Sequence, residues 1–369
     1  MRDAVLIVGG GPAGLALAIV LSRAGVRAWV AESSNYTEPR IGEHLTPGGI
    51  RALNALFPDR PLCSAVHQPS SGVDAYWGKR TPNQMDYLFH PIGTGANLSR
   101  PTFDLDLAMR CRDAGAKILL SAVLTSAAWK RTHWEITLRL PSGSIKLSPA
   151  LIVDATGRRA SFARSQGAAI LEGDQQIALV QFYPPIKAAE PSAGGRLLIE
   201  TTENGWWYFA PLSLDRSVAA YMTDADLLPH GGKKALREWW INQVRSTVHV
   251  KGKVVDRRGS ESGLLVRWAR SQCLSPAAGK GWLAVGDAAH AFDPLASNGI
   301  AKGLESARQS ADLVLRCLSG GENSLREHTE RVAESYKEYH RMRRGYYLLE
   351  TRWPSAQFWH RRQRCAQCG

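Results

Sequence analysis

The chain has 369 residues, 44% of them hydrophobic and 21% charged, an ordinary globular composition. That length exceeds what one compact core comfortably organises, so two packed domains and an appendage are expected. No apolar run reaches the length of a membrane span, and Met1-Arg2-Asp3 leads into a strand without a secretory leader. Stable membrane insertion is therefore not expected, and a cytoplasmic location is.

Residues 4–8 form a continuous apolar run, the pattern of a parallel strand buried on both faces. A glycine turn follows, and then a helix over 12–24, with Pro12 suited to its first turn and Gly25 to its stop. Residues 26–31 read as a second strand ending at Glu32, which completes a strand–helix–strand opening. A glycine- and proline-containing loop occupies 33–50. A helix near 101–114 is followed by strands near 117–121, 122–128 and 133–140, and Leu151-Ile152-Val153-Asp154 reads as another buried strand. Segments 68–95 and 169–268 are richer in aromatic and alternating patterns, as in a second, α+β domain inserted into the first. The first domain would then comprise 1–67, 96–168 and 269–320, with a helix from about 299 to 318. Residues 321–369 form a helical, basic segment. Within it, Val332, Tyr336, Tyr339, Met342, Tyr346 and Leu349 recur at spacings of three and four and mark an apolar stripe on a helix over 327–350.

The formal net charge is +13. Residues 331–364 carry nine Lys and Arg against three acidic residues, so nearly half of the excess lies near the C-terminus. Such a patch suits an acidic protein, lipid or nucleic-acid surface, or simply a solvated helical face. No nucleic-acid motif accompanies it, and no nucleic-acid partner is expected. Cys365 and Cys368 form a CxxC with no second ligand pair, and no metal constellation is present in the sequence.

Gly9-x-Gly11-x-x-Gly14 between a strand and a helix, with Glu32 closing the next strand, is a dinucleotide-binding arrangement. The first glycine allows the tight turn, the second the approach of the pyrophosphate, and the third the packing of helix on strand. Pro12 and Ala13 open a helix whose N-terminal amides and dipole favour phosphate. Glu32 is placed to accept both ribose hydroxyls of an adenosine. Gly286-Asp287-Ala288-Ala289-His290 then delivers a carboxylate at the end of an apolar strand, where ligands of open α/β sheets bind. Pro294, Asn298, Gly299 and Ile300 surround the start of another helix. Two such motifs nearly 300 residues apart point to FAD, with Asp287 on its ribityl chain or pyrophosphate.

These motifs, with Arg100 before Phe103-Asp104 and with Asp154-Ala155-Thr156-Gly157-Arg158, resemble the single-component flavoprotein monooxygenases and the related tryptophan halogenases over residues 4–320. The resemblance implies an α/β, glutathione-reductase-like Rossmann FAD domain with an inserted α+β substrate domain and C-terminal helices. It also implies that Arg40, Gly42 and Glu43 belong to a loop beside the flavin and that Arg100 contacts the cofactor. NAD(P)H or reduced flavin would be the electron source, since no second dinucleotide motif is present. The halogenase motif WxWxIP is matched only in part by Trp206-Trp207-Tyr208-Phe209-Ala210-Pro211, and Lys79 stands at the wrong offset for the halogenase lysine.

Gly205-Trp206-Trp207-Tyr208, the segment from Tyr221 to Leu227, and Arg352-Trp353-Pro354 are similar to flavoproteins that mature tryptophylquinone enzymes. That similarity implies hydroxylation of an indole, with a partner protein presenting a tryptophan. Trp206 and Tyr208 would supply dry aromatic walls, and His44 and His290 would carry protons. Trp207 and Phe209 are further candidates for the wall. A small-molecule aromatic hydroxylase, a halogenase and a non-catalytic FAD-containing assembly factor remain alternatives.

Overall fold

The apolar N-terminal run becomes the strand Ala4–Val8, in the interior of a six-stranded sheet. It lies between Leu151–Asp154 and Arg27–Ala31, parallel to both. Beyond Leu151–Asp154 come Trp282–Ala284 and the antiparallel edge Ala278–Gly279; beyond Arg27–Ala31 comes Lys117–Leu119. A parallel strand covered on both faces has no wet side, so Val5, Leu6 and Ile7 are all buried. On one face Val5 and Ile7 pack with Leu15, Leu107 and Leu304 of the helices Pro12–Arg23, Arg100–Asp113 and Gly299–Leu318. On the other, Leu6 meets Trp134, Ile136 and Leu138 from a three-stranded meander of Val123–Lys130, His133–Leu140 and Gly143–Leu147. The computed structural model describes residues 4–364 except 59, 63–64, 185–192, 214–215, 255–262 and 322. Cys365 and Cys368 lie outside the described residues.

A seven-stranded sheet stands opposite the nucleotide sheet. Its order is Leu265–Trp268, Gln176–Tyr183, Ser217–Asp224, Gly205–Pro211, Leu197–Thr202, Gly72–Tyr76, Asn83–Asp86, antiparallel throughout except where Gly72–Tyr76 runs parallel to Leu197–Thr202. The period of two along a strand divides the aromatic run of Gly205–Pro211 between two faces. Trp206, Tyr208 and Ala210 join one apolar cluster with Met222 and Ile199. Trp207 and Phe209 join the other, where Trp207 meets Trp240 of the helix Gly232–Arg245 with ring centroids 4.6 Å apart. Two of the four candidate wall residues are therefore core on the far side.

The C-terminal helix spans Asn323–Leu348 and departs from the expected stripe. Val332 and Tyr339 are buried, but Met342, Tyr346 and Leu349 are 57%, 60% and 58% exposed. The buried line instead continues through Arg343 to Tyr347, each one turn beyond the last. Arg343 is tolerated there because its guanidinium meets Asp174 at 2.7 Å and Asp293 at 2.9 Å. A hydrophobic period cannot register a face whose middle member is a paired arginine. Further on, Arg362 is bound to Asp224 at 2.5 Å with both side chains 2% exposed. Part of the basic excess thus faces inward and is neutralised by acids of the seven-stranded sheet and of neighbouring loops. No described helix is long and apolar enough to cross a membrane.

Candidate active site

Between the two sheets lies a cavity of about 1110 Å³, at the upper limit of the about 300–1,000 Å³ usual for small-molecule pockets. The glycine turn forms one end. Gly9 has φ +111°, and a Cβ there would stand 2.2 Å from the Ala155 carbonyl oxygen; one on Gly14 would stand 2.1 Å from that of Gly9. These two glycines close the backbone on itself. Gly11 differs: a Cβ would meet nothing within 4 Å, although the residue lines the cavity. It is also the N-cap of Pro12–Arg23, with no side chain capping the helix. Open space before uncapped helical amides is what a pyrophosphate requires. Gly286 brings the second motif against the first, since its Cβ would lie 2.7 Å from that of Ala13.

Glu32 is buried and already engaged. Its Oε2 accepts from the Gly10 N–H at 2.7 Å, and its Oε1 from the Ser34 N–H at 2.9 Å and from Arg40 at 2.8 Å. Burial alone would raise its pKa, but Ser34 and the Arg40 charge hold it below the usual value. A carboxylate offers about four acceptor positions, and these protein donors take up most of them, leaving less room for ribose hydroxyls than the two that the sequence suggested. The carboxylate also fixes the glycine turn. Arg40 bridges on to Asp104 at 3.1 Å, next to Arg100, which binds the same carboxylate and donates to the carbonyls of Ile41 and Gly42. Both arginines line the cavity, and both hold its loop in place.

Glu43, on that loop, is 2% exposed and reaches the seven-stranded sheet, accepting from the Tyr208 hydroxyl at 2.5 Å. His44 lines the cavity too, but both of its ring nitrogens are occupied, by Asn97 at 2.7 Å and Tyr87 at 3.1 Å. Burial lowers its pKa against the effect of Asn97, and the two hydrogen bonds brace the ring.

Asp287 lines the cavity between two cations, Arg158 at 3.8 Å and Lys302 at 3.9 Å. The Lys302 ammonium donates to the His290 carbonyl at 2.6 Å and lies 3.8 Å from the centre of the Phe292 ring. Burial pushes its pKa down to about 8, partly offset by Asp287. In the sequence Lys302 looks like an ordinary helix lysine, and only its place in the first turn after Gly299 sets it apart. His290 is outside the cavity wall. Its ring faces Ser335 at 3.3 Å, and burial pushes its pKa down to about 2, so it is placed as a packed neutral side chain and not as a proton carrier. Pro294, Asn298, Gly299 and Ile300 line the cavity beside Asp287. The loop before them is gripped from behind: Asp293 binds Arg343 and accepts from the Tyr347 hydroxyl at 2.8 Å, while its N–H donates to Tyr339 at 2.7 Å.

The other end of the cavity is walled by Leu197, Ile199, Trp206, Tyr208, Met222 and Trp268. Lys79 is exposed and is not part of that wall.

Uncapped helical amides, a ribose-side carboxylate and a second carboxylate across one continuous cavity fit FAD, and the fold and site together define an FAD-dependent oxidoreductase. The chain belongs to the FAD binding domain family, whose sequence pattern it matches over residues 2–331. It is similar to a protein of Marinomonas mediterranea called FAD-dependent oxidoreductase LodB, 28% identical over 97% of this chain and 96% of that protein. It is also similar to a tryptophan 2-halogenase of Chondromyces crocatus, 22% identical over 90% of this chain and 65% of the other. Among solved structures, the myxobacterial chondrochloren halogenase CndH superposes with a TM-score of 0.86 at 21% identity, covering 99% of this chain and 87% of that one. The peptidyl tryptophan dihydroxylase QhpG, essential for tryptophylquinone cofactor biogenesis, superposes with a TM-score of 0.79 at 23% identity, covering 98% and 79%.

Proposed function

We propose that the protein hydroxylates the indole of a tryptophan side chain presented by a partner polypeptide, as a step in making a tryptophylquinone cofactor. The observation that carries this reading is the continuity of the cavity from the dinucleotide cradle to a wall of Leu197, Ile199, Trp206, Tyr208 and Met222. Such a wall suits a flat apolar ring and excludes water from it. The likeness to QhpG, whose description names a peptidyl tryptophan, agrees with it.

Gly9, Gly11, Pro12, Ala13 and Gly14 would hold the pyrophosphate region of FAD, Glu32 one ribose hydroxyl, and Asp287 the ribityl side, with Gly286, Pro294, Asn298, Gly299 and Ile300 around it. Arg40, Gly42 and Arg100 would shape the loop beside the ring system. The chemistry FAD supplies there is activation of dioxygen after reduction by NAD(P)H or reduced flavin. Trp206 is held in the wall by its Nε1–H, which donates to the Tyr347 hydroxyl at 3.1 Å.

A second reading, halogenation, is favoured by the TM-score of CndH. One assay separates the two. FAD-loaded protein, NAD(P)H, dioxygen and bromide are incubated with candidate partner polypeptides and with free tryptophan, and products are read by mass spectrometry. Addition of oxygen to a polypeptide tryptophan is expected. A brominated product, or free tryptophan turned over as fast as any polypeptide, overturns the proposal.

A further inference from the structure

We propose that the strand Leu265–Trp268 is a docking edge, on which the substrate polypeptide adds to the seven-stranded sheet in extended form with its tryptophan turned into the cavity. This strand is outermost in the sheet and pairs on one side only, with Gln176–Tyr183. Leu265, Arg267 and Trp268 line the cavity. Trp268 is also 52% exposed, so the strand runs along the cavity's mouth.

In an antiparallel pair, residues whose N–H and C=O face the partner alternate with residues whose groups face away. The Ala269 N–H donates to the Gln176 carbonyl at 2.9 Å. Two and four residues back along the same register, Arg267 opposite Ala178 and Leu265 opposite Val180 face inward too. The N–H and C=O of Val266 and Trp268 therefore point out of the sheet. Among the described residues their one partner is the Arg267 guanidinium, which donates to the Val266 carbonyl at 3.0 Å.

A strand edge left open pairs with any extended chain, and proteins usually cover, bend or charge it. The opposite edge of this sheet, Asn83–Asp86, is polar and ends in an acid. Leu265–Trp268 instead exposes Val266 and Trp268, and its single charge is folded onto its own carbonyl. An apolar, unshielded edge beside a reaction chamber suits recognition by strand addition. Side chains alternate between faces, so residues of an added strand that share the face of Leu265 and Arg267 project into the cavity. The tryptophan of the polypeptide takes such a position. An acid on the same face, opposite Arg267, draws the guanidinium off the Val266 carbonyl and frees that acceptor. The segment that fits is thus extended, rich in β-branched residues, and carries an acid beside its tryptophan. This inference rests on the polypeptide substrate proposed above.

FAD-loaded protein is titrated with a blocked peptide whose central tryptophan is flanked by valine and threonine and followed two residues later by glutamate, and with the polypeptide oxygenated in the assay above. Amide exchange is followed by nuclear magnetic resonance. Protection is expected at Val266 and Trp268, while Leu265 and Arg267, already bonded within the sheet, stay unchanged. Val266→Pro removes one outward donor where an edge strand tolerates proline. It should keep its FAD and weaken binding about tenfold, the net worth of roughly one hydrogen bond, whereas Val266→Thr, which keeps the N–H, should bind as wild type does. Should Val266→Pro fail to fold, the same peptide N-methylated on its edge-facing amides carries the test on wild-type protein. No protection with either ligand overturns the proposal. Oxygenation without protection at Val266 and Trp268 overturns the docking edge and leaves the hydroxylation standing; protection without oxygenation does the reverse. A wild-type dimer in sedimentation that Val266→Pro dissolves assigns the edge to a second copy of the chain and also overturns the proposal.

Discussion

The two ends of the cavity are held by different means. At the dinucleotide end, backbone packs on backbone: Gly9 against Ala155, Gly14 against Gly9, Gly286 against Ala13. At the end walled by the seven-stranded sheet, the sheet and the Asp293 loop are held from behind by charged side chains that arrive from the far end of the chain. Arg343 reaches Asp174 and Asp293, Arg362 reaches Asp224, and Glu350 accepts from Gly78 and Thr201. Close backbone contact depends on local sequence and tolerates almost no added atom. Long-range ion pairs tolerate change in one partner only if the other is changed too. The first mode suits a ligand shared by every FAD-binding relative, and the second suits a chamber whose shape can vary from one relative to the next.

The largest expected effect tests the first end. Gly11→Val should leave the fold intact, because its side chain would enter open space, and should abolish FAD binding by filling that space. The purified variant should be colourless, with the melting temperature of wild-type apoprotein. Gly9→Ala should instead fail to fold, since its φ of +111° and the Ala155 carbonyl leave no room. A Gly11→Val protein that retains flavin would show that the cradle has been misplaced.

The next effect tests the second end. Arg362→Met strands Asp224 in a site where both partners are 2% exposed, and should cost about 3–5 kcal/mol of stability. Arg361 also touches Asp224 at 3.0 Å but is 35% exposed, so it compensates in part. Pairing Arg362→Met with Asp224→Asn should recover much of the loss in denaturant unfolding. If the double variant is no better than the single one, the ion pair is not what holds the sheet.

This contrast also explains what could be read in advance. The dinucleotide end was legible because its constraints fall within short motifs: three glycines at fixed spacing, an acid at a strand end, and a second strand ending in Gly286-Asp287. The sheet-forming character of 169–268 was visible in its alternation. Which face each aromatic takes was not, because period two divides Trp206 from Trp207 without saying which side meets the cavity. His290 misled because its motif places the backbone near the ligand while the ring turns to Ser335. Lys302 and Arg343 were invisible for a common reason. Each is a cation whose role comes from partners that only the fold brings to it, Lys302 from Asp287 and Arg343 from Asp174 and Asp293.

The smallest effect concerns the basic segment itself. An acidic partner attracted by Arg341, Arg343 and Arg344 is what charge alone suggests, yet the three are not equivalent. Arg341 and Arg344 are exposed, while Arg343 is 10% exposed and paired twice. Reversing Arg343 would therefore break the Asp293 loop and mimic a docking defect. The informative variant is Arg341→Glu with Arg344→Glu and Arg343 retained. Stability should change by less than about 0.5 kcal/mol, as for surface positions without specific partners. FAD content should be unchanged, because neither residue lines the cavity. If the exposed charges steer an acidic polypeptide, its association should slow at low ionic strength, and the difference should vanish as salt shortens the screening length to about 8 Å at 0.15 M. Equal association rates for variant and wild type at low salt would leave the segment with one role, that of bracing the seven-stranded sheet and the Asp293 loop from behind.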